Sequence, residues 1–103
     1  MPSPTQRTLA KLRKDGYTCA IVEKYNSFIK CRQDLFGFID ILAIKENETL
    51  GVQTTSGSNS SERVEKIKAN KYYSTVKKAG WKIIVHGWRK LKKTGWECKE
   101  INL

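Results

Sequence analysis

The sequence predicts an α/β (α+β mixed-sheet) domain in which helices pack on a central sheet, with the element order α-β-β-β-α-β-β. Two strongly apolar runs, 34–45 and 50–56, flank a short polar segment and predict a β-hairpin. A later apolar stripe at helical spacing predicts a helix, and two more strand patterns follow it. Because 103 residues supply one core, we expect a single domain over 1–103.

The first helix has clear signals at both ends. Ser3 is suited to the N-cap, Pro4 to the first helical position and Gln6 to the N3 position of a capping box. The helix is predicted to end near Lys14, and Gly16 then suits the C′ position.

A strand is predicted next, over 17–25, because apolar and polar residues alternate there. Glu23 lies on this predicted strand. The following segment, 28–32, is compatible with a longer strand or with a loop, and it contains Arg32.

The hairpin fixes which side chains share a face. If its ladder closes symmetrically about the polar turn, Lys45 pairs with Leu50 and Asp40 lies opposite Thr55. Gln53 is then diagonal to Asp40, and the period of two places Asp40, Gln53 and Thr55 on one face. A carboxylate in so apolar a strand is costly to bury without a partner or a metal. Asp40 is therefore the main candidate functional residue.

The second half of the chain predicts one long helix and two strands. Asn59 and Glu62 have the spacing of an N-cap and its N3 partner, which predicts a helix over roughly 60–79. Its apolar stripe, expected in the core, consists of Ala69, Tyr72, Tyr73 and Val76.

Strands are predicted over 81–86 and 96–101, with a loop over 87–95 between them. In that loop, Trp88 precedes four positive charges in five residues. Such a loop is either solvated or holds a phosphodiester backbone through salt-dependent contacts.

The charge balance favours a polyanionic partner. Lys and Arg number 20 against 10 Asp and Glu, a formal net charge of +10. Nucleic acid is favoured over the alternative of a basic protein whose lysines are merely solvated.

The remaining composition indicates an intracellular protein. The cysteines at positions 19, 31 and 98 lack metal-ligand spacing and read as reduced thiols. The first residues lack the apolar core of a signal peptide, and no run reaches membrane-spanning length. We therefore expect a cytoplasmic protein without a membrane partner.

The order of these elements is similar to that of the PD-(D/E)XK nuclease superfamily: a helix, Asp40 in a hairpin, Gln53-Thr54-Thr55 on its second strand, then a helix and a strand. The likeness is to small Holliday-junction-resolvase-like nucleases, especially compact phage-type proteins. Asp34-Leu-Phe-Gly-Phe-Ile-Asp40 and His86-Gly-Trp-Arg-Lys90 add to the phage-type likeness. The resemblance implies a restriction-endonuclease-like core, and a host cytoplasm if the chain is phage-encoded.

The resemblance also implies a metal site. Asp40 would be the principal ligand of Mg²⁺ (or Mn²⁺), and Gln53 the second, through its side-chain carbonyl. The carbonyl of Val52 is a further candidate oxygen, and Mg²⁺ prefers such donors. Thr55 would stand at the catalytic position that is usually lysine.

Two departures from the family pattern bear on activity. Gln53 brings no charge, and Thr55 cannot act as a cationic group. A cation from elsewhere would be needed, and Arg63 or Lys66 on the following helix are the candidates. Lys45 is excluded because its offset from Asp40 places it on the opposite face.

Two other acids are candidate catalytic residues with open alternatives. Glu23 is either an additional acid of the site or an edge residue facing water. Asp34 is either a turn residue or part of the site, and we favour the site because its phase matches Asp40 in a regular strand. His86, the sole histidine, is more readily structural than catalytic.

The sequence thus predicts a metal-dependent DNA endonuclease that hydrolyses phosphodiester bonds. The resemblance implies branched DNA and a homodimer, which the residues themselves leave open. The alternative is a catalytically degenerate nucleic-acid-binding protein with a nuclease fold, and a third option is a basic subunit of a larger assembly. The candidate DNA-binding residues are Arg32, Ser56, Ser58, Arg63, Lys66, Arg89, Lys90, Lys92 and Lys93.

Overall fold

The computed structural model describes residues 3–93 and 95–103, apart from the side chains at positions 25, 26, 31 and 32. Within these residues the chain forms three α-helices, a five-stranded mixed sheet and a separate two-stranded hairpin. The helices are α1 (Pro4–Lys14), α2 (Ser60–Lys68) and α3 (Tyr73–Lys78). The strands are β1 (Thr18–Ile21), β2 (Lys24–Asn26), β3 (Cys31–Gln33), β4 (Ile41–Lys45), β5 (Glu48–Ser56), β6 (Lys82–Leu91) and β7 (Gly95–Asn102).

The five-stranded sheet has the order β1-β4-β5-β6-β7. Strands β5 and β6 are parallel, joined by a connection that contains α2 and α3, and the other neighbouring pairs are antiparallel. The interior position of β4 agrees with its apolar sequence on both faces. The prediction of a mixed sheet with helices packed on it is confirmed.

Each face of the sheet has its own apolar core. The core under α1 contains Leu9, Leu12, Ile41, Ala43, Leu50, Val52 and Ile84. The core under α2 and α3 contains Phe38, Ile39, Ile67, Val76, Ile83 and Val85. Burying each aliphatic side chain contributes about 1.5–3 kcal/mol, and helices as short as these depend on such packing in water. The sheet therefore holds both layers in place.

Helix α1 begins and ends where the sequence predicts. The Ser3 backbone is extended, and its Oγ accepts a hydrogen bond from the Gln6 N–H at 3.2 Å. Asp15 is the C-cap, and Gly16 follows in the left-handed region with φ of 94°. Both ends of α1 are thus set by local capping interactions.

The single strand predicted over 17–25 is wrong in its second half. Strand β1 ends at Ile21, and the last bond toward β4 runs from the Val22 N–H to the Asp40 carbonyl at 2.8 Å. Strand β2 belongs to the separate hairpin with β3. Glu23 therefore lies in the connection between two strands rather than within one.

The segment 28–32, which the sequence left open, contains both a turn and a strand. Residues 27–30 form the turn of the β2–β3 hairpin, where Phe28 is 95% exposed. Arg32 lies on β3, and its side chain falls outside the described part of the structure.

The single long helix predicted over 60–79 is also wrong, because the chain forms α2 and α3 instead. Between them, the Asn70 Oδ1 accepts the Tyr72 N–H at 2.7 Å, and the Asn70 Nδ2 donates to the Phe36 carbonyl at 3.1 Å. An asparagine that bonds nearby backbone groups in this way competes with the helical ladder. The break is thus a local consequence of Asn70 and its distant partner.

The predicted apolar stripe is only partly in the core. Val76 is buried and Tyr73 packs at the edge of the core, whereas Ala69 and Tyr72 are exposed. Asn59 is the N-cap of α2 as predicted, but its side chain makes no capping hydrogen bond within the described residues.

The loop predicted over 87–95 is mostly strand. Strand β6 continues to Leu91, and cross-strand pairs such as Arg89 with Glu97 extend its ladder with β7. The charged composition of this segment suggested a loop, because a strand made of these residues would have no apolar face to bury. Opposite charges facing each other across an antiparallel pair stabilise strands without such a face.

The β4–β5 register differs from the predicted one by two residues. Lys45 pairs with Glu48 rather than with Leu50, because the turn contains only Glu46 and Asn47. Glu46 has the positive φ of 52° that such a tight turn accommodates. A shift of two residues leaves every side chain on its predicted face.

None of the helices in the described residues is long and apolar enough to cross a membrane.

Candidate metal centre

A cavity of about 680 Å³ lies where β4 and β5 meet the first turn of α1. Three acids line it, together with residues from both helical layers. The lining residues are Ser3, Pro4, Thr5, Gln6, Ile21, Glu23, Asp34, Asp40, Gln53, Thr54 and Arg63.

Carboxylate oxygens of Glu23, Asp34 and Asp40 all lie within 4.8 Å of one another. Asp34 reaches this cluster through a tight turn in which Leu35 and Ile39 form an antiparallel bridge. The turn reverses the chain, so that Asp34 comes back beside Asp40. Sequence analysis placed Asp34 at the site, but through a regular strand, and that reason is wrong. Glu23 arrives from the end of β1, next to the last bond between β1 and Asp40.

The Asp40 side chain, only 4% exposed, is held on one oxygen by three donors. Its Oδ2 accepts hydrogen bonds from the Gln53 Nε2 at 2.7 Å, the Thr54 backbone N–H at 2.9 Å and the Thr54 hydroxyl at 3.3 Å. The Thr54 hydroxyl also contacts the Thr5 hydroxyl of α1 at 3.2 Å. Asp40 is thus positioned by β5, and through Thr54 by α1.

Burial, together with a hydrogen bond to the neighbouring Asp34 side chain, raises the pKa of Asp40 to about 7, although the Thr54 backbone N–H acts to lower it. The charges of Asp34 and Glu23 act in the same direction as burial. Negative charge is therefore disfavoured at this cluster unless a proton or another cation offsets it.

The other residues predicted at the metal take different positions. The Gln53 amide donates to Asp40, so its nitrogen rather than its carbonyl faces that carboxylate. The Val52 carbonyl accepts the Asp40 N–H at 2.9 Å and so belongs to the β4–β5 ladder. Thr55, 7% exposed, lies beside Gly87 of β6 and outside the lining of the cavity.

Of the two cations proposed to replace the usual lysine, the structure brings one to the cavity. Arg63 of α2 is part of its lining. Lys66 is exposed and pairs with Glu62 one helical turn away, at 2.9 Å. Lys45 donates to the Asp15 carbonyl at 2.8 Å, at the other end of β4 from Asp40.

The candidate DNA-binding residues near the start of α2 lie around a second cavity. The Ser56 and Ser58 hydroxyls are 3.2 Å apart at the short 3₁₀ turn before α2. Ser58 and Arg89 line a cavity of about 560 Å³ together with Gly57, Glu97 and Lys99. Arg89 is bound to Glu97, with Nε at 3.1 Å and Nη2 at 2.9 Å from the same carboxylate oxygen. Its charge is therefore already paired.

The three lysines predicted to hold the DNA backbone lie on the β6–β7 hairpin. Lys90 is exposed on β6, and Lys92 and Lys93 are exposed in the turn that follows. The ladder between β6 and β7 fixes the position of Lys90, whereas Lys92 and Lys93 follow the last pair of that ladder, Leu91 with Gly95.

His86 is 1% exposed and lies on β6, where it pairs with Thr54 of β5, the neighbour of the Asp40 carboxylate. Its Nδ1 lies 3.1 Å from the Thr8 hydroxyl, and the Trp88 indole N–H donates to that hydroxyl at 2.8 Å. Burial lowers the pKa of His86. The prediction of a structural histidine agrees with these contacts.

Sequence analysis missed Thr54 and Thr5. Thr54 points to the α1 face of β5, and side-chain alternation therefore assigned it to the opposite side from Asp40. Its backbone N–H and hydroxyl nevertheless reach the carboxylate at the end of the strand. Thr5 carries no sequence signal beyond its place in the first turn of α1.

Comparison with known proteins finds no family model that matches this chain and no curated protein with a significant match.

Proposed function

We propose that this chain is a metal-dependent endonuclease that hydrolyses DNA phosphodiesters at the Asp40 cavity. The observation that carries the proposal is the cluster of three carboxylates within 4.8 Å in a chain whose net charge is +10. Three acids thus gather in one partly buried cavity although the net charge of the protein is positive. Divalent cation binding next to a polyanion accounts for both features.

The donor set suits the ion that the resemblance to PD-(D/E)XK nucleases implies. Glu23, Asp34 and Asp40 offer hard carboxylate oxygens, which Mg²⁺ and Mn²⁺ prefer. The raised pKa of Asp40 indicates that a positive charge there would be stabilising. When bound, the ion would supply a water of lowered pKa and neutralise charge on the phosphate.

The chain's own residues would position the reacting groups. Gln53 and Thr54 hold the Asp40 carboxylate in one orientation through three hydrogen bonds. Arg63, on the wall of the same cavity, offers a guanidinium that matches the geometry of a phosphate. In this proposal Arg63 supplies the charge that lysine supplies in the family, and Thr55 has no direct role.

The order of elements also supports the proposal. A helix precedes an antiparallel hairpin that carries the aspartate, and a helical connection leads to a strand parallel to the second strand of the hairpin. That order is compatible with the restriction-endonuclease-like core that the sequence suggested. Branched DNA as the preferred substrate and a homodimer remain parts of the proposal.

The competing proposal is a nucleic-acid-binding protein with the same fold and no catalysis. It is favoured by the Gln53 amide, which satisfies Asp40 with a hydrogen bond instead of adding a second charge. Such a protein would bind DNA in a salt-sensitive manner regardless of metal.

The decisive experiment incubates the purified chain with supercoiled, linear, single-stranded and four-way-junction DNA in the presence of Mg²⁺ or Mn²⁺. We expect cleavage that is abolished by chelation and by Asp40→Asn. The matched control is Asp15→Asn, the same chemical change at the far end of α1, which should leave cleavage intact.

Two results would overturn the endonuclease. One is cleavage that persists in Asp40→Asn. The other is an absence of cleavage on every substrate while salt-sensitive DNA binding persists, which would establish the binding protein instead.

A further inference from the structure

A second group of ligating side chains lies on β6 and β7, on the other side of β5 from β4. His86 pairs directly with Glu100 in the ladder, and Cys98 precedes Glu100 by two residues on the same face. The potential ligand atoms of these three side chains all lie within 4.8 Å of one another. The group shares no lining residue with the Asp40 cavity; a different cavity of about 220 Å³ reaches His86 and Glu100.

The histidine ring is already oriented for ligation. Its Nδ1 is held by the Thr8 hydroxyl at 3.1 Å, and that hydroxyl is fixed in turn by the Trp88 indole at 2.8 Å. The ring therefore directs Nε2 toward Glu100, whose Oε1 lies 3.9 Å away. That separation is too long for a hydrogen bond. A histidine whose other nitrogen is fixed by a hydrogen bond is the usual arrangement at metal sites.

We propose that His86, Cys98 and Glu100 bind one Zn²⁺ ion, with water as the fourth ligand. One nitrogen, one sulfur and one oxygen donor form a set that Zn²⁺ takes readily in tetrahedral geometry. Ligand atoms in such a site lie on the order of 3.5 Å apart, so separations that are all below 4.8 Å, with 3.9 Å between His86 and Glu100, must contract by at most roughly 1 Å. Glu100, the most exposed of the three, has the freedom to move by that amount. Mg²⁺ would not bind here, because it avoids thiolate and imidazole donors.

Two features of the metal-free protein oppose the binding of Zn²⁺. Lys11 of α1 pairs with the Glu100 Oε1 at 3.2 Å, so the ion must displace this ammonium. Burial raises the pKa of Cys98 to about 11, so the free thiol keeps its proton at neutral pH. Binding breaks the S–H bond, releases the proton to the buffer and leaves the sulfur electron pair on the ion.

The test uses the full chain stripped of metal, titrated with Zn²⁺ against a chromophoric chelator and separately with Co²⁺. A thiolate-to-cobalt absorption band that saturates at one thiolate-bound ion per chain is expected, apart from any ion held at the Asp40 cavity. Cys98→Ser should abolish the band, and Glu100→Gln should weaken affinity by more than the roughly 10–100-fold that loss of an outer-shell partner causes, because Glu100 is a direct ligand. The matched control is Cys19→Ser, which removes a half-buried thiol on β1 and should retain the band.

Lys11→Met separates a metal site from a merely structural cluster. Loss of an ion pair would destabilise the metal-free protein, yet it should tighten Zn²⁺ binding because Glu100 loses its competitor. Asp40→Asn should keep the cobalt band, so the result is independent of the endonuclease proposal. A band that persists in Cys98→Ser, Zn²⁺ affinity unchanged in Glu100→Gln, or no saturable binding would overturn the zinc site.

Discussion

Asp40 stands in an environment that favours its uncharged form. Burial of the Asp40 side chain, together with its acidic neighbours, raises the pKa of Asp40 to about 7, above the ordinary aspartate value near 4. A raised folded-state pKa contributes stability that is fully present below the unfolded-state pKa. That contribution is lost as the pH rises through about 7. Without a divalent cation, the protein should therefore become less stable between about pH 4 and pH 7.

Asp40→Asn should remove this pH dependence. The asparagine oxygen can accept the bonds from Gln53 and Thr54, and its amide can donate to Asp34. We expect the variant to melt at a higher temperature than the wild type near pH 8 without metal, and the difference to disappear near pH 4. Thermal unfolding followed by circular dichroism measures both.

The same series with Asp15→Asn serves as the control for this prediction. If the wild type and Asp40→Asn lose stability in parallel from pH 4 to pH 8, then Asp40 does not carry the unfavourable charge. Adding Mn²⁺ near pH 8 should stabilise the wild type and leave Asp40→Asn unchanged.

For single residues, the sequence reveals that Asp40 is a buried carboxylate, but it does not reveal which groups bond that carboxylate. An aspartate between Ile39 and Ile41 signals a buried carboxylate from composition alone. Its hydrogen bond from the Thr54 N–H depends on where the strand ladder ends, and no residue type encodes a backbone donor. Gln53 was found because an amide on the matching face is visible in the sequence.

Among the elements, the turn from Leu35 to Ile39 brings Asp34 to Asp40. Gly37 adopts φ of 85°, and a Cβ there would lie 2.9 Å from the Asn70 Nδ2. The same Asn70 breaks the helical layer by bonding Phe36 and Tyr72. One asparagine therefore joins the turn to the connection between α2 and α3.

Gly37→Ala should destabilise the protein by about 1–3 kcal/mol, since backbone strain and the clash with Asn70 both oppose the side chain. Gly80→Ala is the matched control, because Gly80 has φ of 90° and a Cβ added there would meet no atom of the described residues within 4 Å. Chemical denaturation should show a larger loss for Gly37→Ala. Equal losses would mean that contact with Asn70 adds nothing.

The elements that the sequence predicts correctly are those with local determinants. The two ends of α1, with Ser3 as N-cap and Asp15 as C-cap before Gly16, need no distant partner. The elements predicted wrongly depend on contacts across the chain. The helix break at Asn70 requires the Phe36 carbonyl, and the length of β6 requires β7 beside it. Neither partner can be read from the neighbouring sequence.

The β6–β7 hairpin contains an ion pair, Arg89 with Glu97, that would compete with the proposed contact between Arg89 and DNA. Both Arg89 nitrogens, Nε and Nη2, lie within 3.1 Å of a Glu97 oxygen, beside the cavity formed with Ser58. A phosphate would have to compete with Glu97 for the guanidinium. Glu97→Gln should therefore tighten DNA binding several-fold, as measured by fluorescence anisotropy at fixed salt.

The control for that measurement is Glu46→Gln, which removes the same charge at the β4–β5 turn, away from the hairpin. Its effect reports only the change in net charge. Equal tightening in both variants would rule out a specific role for Arg89.

For the whole molecule, the net charge of +10 predicts how binding depends on salt. Each phosphate neutralised by a cation lowers the slope of log K against log salt by about 0.9 for duplex DNA. Lys90 and Lys92 are exposed at the end of the β6–β7 hairpin, where β6 continues beyond its last pair with β5. We expect Lys90→Glu and Lys92→Glu each to reduce the magnitude of the slope by roughly one. Lys14→Glu is the matched control, because Lys14 ends α1 roughly 15 Å along the helix from the turn that lines the cavity. If all three variants change the slope equally, DNA binds through diffuse charge and the hairpin is not part of its path.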